Sequence, residues 1–147
     1  MTPIKEHPTL GVLNSPQSVA AAYLLAWQYQ DYDRLIDATQ MTFRIDKEFK
    51  AKLARELNKF QLVSFKVIRE DAPGKGVNPM VQRHVVVDAE IKTVANGYTG
   101  GVLRYKVIMN CESKVRTASP AGVWGAYPAI RLFDVEEWAR LKKSVVN

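Results

Sequence analysis

Hydrophobic positions along the chain recur at helical spacing up to about residue 59 and switch near Phe60 to the two-residue period of strands. Val19, Ala22, Tyr23, Ala26 and Trp27 follow Ser15, a good N-cap, and Pro16, whose missing N–H costs nothing at the first helical position. Leu24 and Leu25 widen the apolar surface beyond one stripe, which predicts a deeply buried first helix. Asp31 predicts the cap of a second, shorter helix with Leu35 and Ile36 turned inward, so the two helices form a hairpin. After residues 39 to 45, Asp46 caps a third helix in which Phe49, Leu53 and Leu57 form a stripe among alternating charges.

From Phe60 onward, Val63, Phe65 and Val67 share one face of a predicted strand, and Ser64, Lys66 and Ile68 share the other, up to the break DAPGKG at 71 to 76. The next strand sets Val85, Val87, Ala89 and Ile91 against His84, Asp88, Glu90 and Lys92, one face buried and one wet. Asn96-Gly97 signals a hairpin turn into a third strand, where Leu103, Tyr105, Val107, Met109 and Cys111 alternate with Arg104, Lys106, Asn110 and Glu112. After the loop TASPAGV (117 to 123), a last strand from Trp124 to Leu132 contains Pro128, which cannot donate a ladder bond and so predicts an edge or a bulge. Asp134 caps a closing helix around Val135, Trp138 and Leu141, and residues 1 to 14, with Pro3, Pro8 and Gly11, read as an extended arm. Residues 15 to 147 then form a single domain.

Composition narrows the functional classes. The 147 residues are 47% hydrophobic and 24% charged, ordinary for one domain with a substantial core. Cys111 is the single cysteine, which excludes an internal disulfide, and with His7 and His84 as the two histidines no zinc cluster is expected. The formal charge of +6 is spread among acids, as in DKEFKAKLARELNK (46 to 59), and lacks the basic stripe with interleaved aromatics of a nucleic-acid surface, so no nucleic-acid partner is expected. No segment approaches the roughly 20 apolar residues of a membrane span, and the N-terminus MTPIKEHPTLG carries no leader-like apolar stretch, so a soluble, by default cytoplasmic protein is expected, exported only if a leader has been removed. No cofactor motif stands out.

The order of elements predicts an α+β domain: three N-terminal helices packed on the concave face of a curved four-stranded antiparallel sheet, closed by a short C-terminal helix. The segment SPQSVAAAYLLAWQYQDYDRLIDA (15 to 38), with its acidic turn QDYDRL, resembles the opening of the nuclear-transport-factor-2-like superfamily, and the element order carries the resemblance over about residues 15 to 132. That cone-shaped, cystatin-like fold includes ketosteroid isomerases and polyketide-cyclase-like enzymes beside many non-catalytic domains. The resemblance implies a site between helices and sheet, where Tyr23, Trp27, Phe65, Tyr105, Met109 and Trp124 either wall an apolar ligand pocket or fill the cone.

In ketosteroid-isomerase-like members a tyrosine of the first helix donates a hydrogen bond to a developing enolate oxygen, and an aspartate beyond the second helix shuttles the proton. Tyr23 falls at the place of that tyrosine, and counting onward brings the aspartate's place to about Asp46 or Lys47. A capping Asp46 accepts backbone N–H bonds that hold its pKa low, which makes it a poor shuttle near neutral pH. Asp31 and Asp33 are explained as cap and first-turn acid of the second helix. His84, beside Asp88 and Glu90, belongs to the outer face, and Cys111 has the inward parity of a buried small hydrophobe.

Together these features favour a non-catalytic domain that binds an apolar small ligand or a protein partner. The alternative is an isomerase, cyclase or dehydratase using Tyr23 and a pocket acid, and a third reading is an accessory domain of a larger assembly. The segment VWGAYPAIRLF (123 to 133) is apolar on both parities, which predicts an outer face covered by a second subunit or by the C-terminal helix, and a homodimer through the sheet is expected.

Overall fold

The computed structural model describes residues 14–44, 47–93, 102–115 and 117–128. The N-terminal arm, Asp46, the Asn96-Gly97 turn and the closing helix lie outside the described residues. Within them the chain is an α+β fold in which four helices precede a curled four-stranded antiparallel sheet.

Helix α1 (Pro16–Gln28) begins as its sequence predicts: Ser15 and Ser18 exchange side-chain and backbone bonds in a capping box, with Pro16 at the first position. Seven of its residues are buried, among them Tyr23, Leu24 and Trp27, because small alanines between them let the helix sit close to the sheet. The helix stops at Gln28, and Gln30 takes a left-handed conformation (φ 57°) that turns the chain. Asp31 then caps α2 (Tyr32–Asp37), accepting from Arg34 N at 3.3 Å. A helical turn that the spacing did not predict, α3 (Met41–Arg44), follows. Its Phe43 lies 5.0 Å from Phe49 and meets Tyr127 edge-on at 5.7 Å between ring centres. Helix α4 (Lys47–Lys59) buries Leu53 and Leu57, and its Lys50 pairs with Asp33 of α2.

The strands run β1 (Phe60–Asp71), β2 (Gln82–Thr93), β3 (Val102–Glu112) and β4 (Val123–Ala126), each antiparallel to the next in the order of the chain. Two irregularities in β1, between Leu62 and Ser64 and between Val67 and Arg69, each insert one residue against β2. They correct the simple alternation expected for this strand. Phe60 and Leu62 face the core, Val63 is the extra residue and is 43% exposed, and Phe65 and Val67 resume the inward face. The bulges also bend the strand, as the curl of the sheet requires.

β4 ends two residues before Pro128, and residues 129 to 132 of the expected strand lie outside the described residues. Beyond it, Thr39 pairs in parallel with Ala126, and Gln40 N and Ala126 N make backbone bonds of 2.8 Å to Ala126 O and Ala38 O. The connection between α2 and α3 therefore closes the β4 edge. Gly125 permits this crossing, since a Cβ there would lie 2.5 Å from Gln40 Cα. No helix among the described residues is long and apolar enough to cross a membrane.

Candidate functional site

The concave face of the sheet under α1 gathers the residues expected to form a site. Tyr23 and Trp27, four apart, share one side of α1 and are fully buried. The Trp27 indole N–H donates to Phe60 O at 2.8 Å, which fixes the end of the helix to the start of β1. Tyr105 of β3 stands opposite Val87 of β2, and Met109 stands opposite Arg83, both tyrosine and methionine buried in the same core cluster as Tyr23. Phe65 and Trp124 are partly buried and pack against this cluster. All six expected residues thus meet at one face.

Two phenols define its polar character. The Tyr23 hydroxyl is buried and has no hydrogen-bond partner among the described residues. Burial, and then the neighbouring Tyr105, push its pKa well above the usual tyrosine value. Burial likewise raises Tyr105. Both side chains therefore stay neutral at ordinary pH, able to donate and to accept.

Farther along the concave side, four residues along β2 from the Val87 that faces Tyr105, the described residues include a charged pair that residue counting missed. Glu70 stands opposite Val85 in the β1–β2 ladder, and Arg83 shares the parity of Val85, so both lie on the concave side. Arg83 Nε donates to Glu70 Oε2 at 2.8 Å, with side chains about three-quarters covered (26% and 22% exposed). Counting from Phe65 in steps of two puts Glu70 on the outer face. The bulge at Ile68 turns it inward, and nothing in the local sequence marks that bulge. Arg83 was legible through its spacing from Val85, but a charged residue at a strand end carried no signal by itself.

The remaining candidates separate from this face. Asp31 caps α2 and Asp33 pairs with Lys50, so these carboxylates serve the helices. His84 lies on the outer face, with Nε2 3.1 Å from Gln82 Oε1. Its pKa is lowered, first by burial and then by Lys106, with Asp71 opposing. Burial raises the Cys111 thiol, which makes it a poor nucleophile. Among the described residues no three His, Cys, Asp or Glu side chains converge as metal ligands. A separate cleft of about 210 Å³ opens between Trp27 and Leu57 on one side and Gln61 and Lys92 on the other, and its lining is largely amide and ammonium.

The outer edge holds the most heavily bonded acid among the described residues. Glu112, 8% exposed, accepts from Gln40 Nε2 at 2.9 Å, from Thr42 N at 2.9 Å and from the Thr42 hydroxyl at 2.9 and 3.0 Å. Arg44 lies close by and donates from Nε to Thr39 O at 2.6 Å. Burial lowers the Arg44 pKa, opposed by Asp37 and Glu112.

Among solved structures, the chain is similar to the crystal structure of a SEC-C motif containing protein from Psychrobacter arcticus, with a TM-score of 0.53 and 10% sequence identity. The likeness is one of fold. It covers 80% of this chain and 62% of that protein, so the chain spans about six-tenths of its neighbour's length. No protein-family model and no curated protein matches the chain.

Proposed function

We propose that the chain is a nuclear-transport-factor-2-like domain that binds rather than catalyses, and that it takes an apolar small ligand with one polar oxygen between α1 and the concave sheet. The observation that carries this reading is the Tyr23 hydroxyl, buried among Trp27, Tyr105 and Met109 without a hydrogen-bond partner among the described residues. An orphaned buried hydroxyl costs about 1–3 kcal/mol, which a carbonyl or hydroxyl oxygen on a bound ligand recovers. Catalysis by proton transfer needs a free base beside that phenol. Among the described residues the acid on this face, Glu70, is engaged by Arg83, and the phenols themselves are held neutral.

On this reading the function lies on the concave side rather than in a homodimer through the sheet. The outer face carries Lys66, Asp88, Arg104 and Lys106, with Arg104 and Asp88 paired at 2.8 and 3.0 Å, a surface that water solvates well. A dimer seen by light scattering, and lost on charge reversal at Lys106, would reverse this preference.

The test compares 2-acetylnaphthalene, which offers a carbonyl, with 2-ethylnaphthalene, which does not, by quenching of tryptophan fluorescence. Both are expected to bind, and Tyr23→Phe is expected to weaken the ketone about tenfold, near 1.4 kcal/mol, while leaving the hydrocarbon unchanged. Failure of both to bind up to their solubility would overturn the reading.

A further inference from the structure

The bonds at Glu112 are one end of a longer row of side chains. Glu112 Oε2 accepts from Gln40 Nε2 at 2.9 Å, and Gln40 Oε1 accepts from Asn110 Nδ2 at 3.0 Å. Asn110 Oδ1 accepts from Gln82 Nε2 at 3.0 Å, and Gln82 Oε1 lies 3.1 Å from His84 Nε2. Four contacts thus join the outer face of β2, the end of β3 and the crossing between α2 and α3.

Every amide donor in the row points toward Glu112. Two groups of fixed character impose that direction: the carboxylate accepts only, and the Thr42 backbone N–H, 2.9 Å from Glu112 Oε1, donates only. Gln40 must therefore present its NH₂ to Glu112 and its oxygen to Asn110. An amide that donates on one side accepts on the other, so the polarity passes through Asn110 and Gln82 to the ring. Gln82 has only its oxygen left for His84.

We propose that this row is a polarised relay in which Glu112 sets the tautomer of His84, holding its proton on Nε2, and through which the outer face of β2 is coupled to the Thr39–Thr42 crossing that closes the sheet edge. Hydrogen bonds aligned head to tail strengthen one another, which makes the ordered direction cooperative. Protonation of the ring occurs at Nδ1 and leaves the Nε2 link unaltered. The charged groups acting on the ring are Lys106 from β3, Arg83 on its own strand and Asp71 from β1, and with burial they leave it neutral at alkaline pH.

The relay makes a specific demand on Glu112→Gln, a substitution that keeps the shape of the side chain. The Thr42 N–H still requires an oxygen, so the new amide turns its NH₂ toward Gln40. Gln40, Asn110 and Gln82 must each rotate in turn, and the last presents an NH₂ to His84. The ring then has to accept at Nε2, which moves its proton to Nδ1.

Long-range proton–nitrogen NMR on ¹⁵N-histidine-labelled protein at about pH 8, above the ordinary histidine pKa, reads the tautomer directly. The chain has two histidines, and His7→Gln assigns the other ring. The native protein is expected to show Nε2–H as the major form of His84, and E112Q to show Nδ1–H. A native ring that is mainly Nδ1–H overturns the proposal without any substitution, as does a folded E112Q with an unchanged ring. Should E112Q fail to fold, Gln40→Met cuts the row next to Glu112 and is expected to release His84 to a mixture of tautomers. A single native-like tautomer in that variant would show the coupling to be absent.

Discussion

The two sides of β3 treat buried polar atoms in opposite ways. On the outer side, Asn110 and Glu112 have their side-chain hydrogen bonds supplied by Gln40, Thr42 and Gln82, residues brought there by a chain crossing and a neighbouring strand. On the inner side, Tyr105 and Tyr23 meet under α1, and the Tyr23 hydroxyl is buried with no bonding partner among the described residues. Polar groups that build architecture are satisfied by the fold itself, because an unsatisfied one subtracts from stability. On the proposed reading, the buried hydroxyl that the fold does not satisfy is left for a ligand. This contrast, rather than any motif, separates the clasp at the sheet edge from the face proposed to take a ligand.

The largest expected effect lies on the inner side. Trp27→Ala removes a fully buried ring and the N–H bond to Phe60 O, and should destabilise the protein by about 3–5 kcal/mol in urea unfolding. A loss below about 1 kcal/mol, typical of a surface substitution, would mean that the helix end is not held by this residue. On the outer side, Gly125→Ala forces a Cβ to within 2.5 Å of Gln40 Cα and 2.6 Å of Thr39 O. Backbone rather than a flexible side chain must yield, so a cost of about 3 kcal/mol is expected, together with faster amide exchange at Gln40 and Ala126. Unchanged exchange there would break the link between Gly125 and the closed edge.

The smallest effect at neutral pH belongs to Tyr23→Phe, which removes a buried hydroxyl without a partner among the described residues and should stabilise the ligand-free protein by about 1–3 kcal/mol. Its signature appears at high pH. The folded-state pKa of Tyr23 is raised above its unfolded value, so the folded chain keeps a proton that the unfolded chain releases. Stability from this group is fully present below about pH 10, the unfolded tyrosine value, and is lost as pH rises beyond it. Tyr23→Phe should therefore flatten the alkaline loss seen in unfolding curves, and identical alkaline slopes would mean that the phenol is not buried as described.

Much of the fold was legible because it rests on local chemistry. Ser15, Pro16 and Asp31 act on backbone groups within one helical turn, and their positions fix where α1 and α2 begin. The alternation in β2 and β3 survives intact since no extra residue interrupts their pairing. β1 is different. Its two bulges reverse parity twice, exposing Val63 and turning Glu70 toward Arg83, and a bulge is decided by how two strands fit around a curved core. α3 was missed for a related reason: a four-residue helix has little propensity of its own and is held by contacts of Phe43 with Phe49 and Tyr127.

The candidate site divides along the same line. Spacing alone brought Tyr23 and Trp27 to one side of α1 and Tyr105 and Met109 to one side of β3, and the structure joins them. The relay from His84 to Glu112 could not be read in advance, as its members come from residues 40, 82, 84, 110 and 112 and no local pattern connects them. The sequence by itself determined the element types, their order and the apolar side of each, because caps and periodicity act within a few residues. Only the tertiary structure decided which polar atoms are satisfied and which are left over, because hydrogen-bond satisfaction depends on distant segments arriving at the same place.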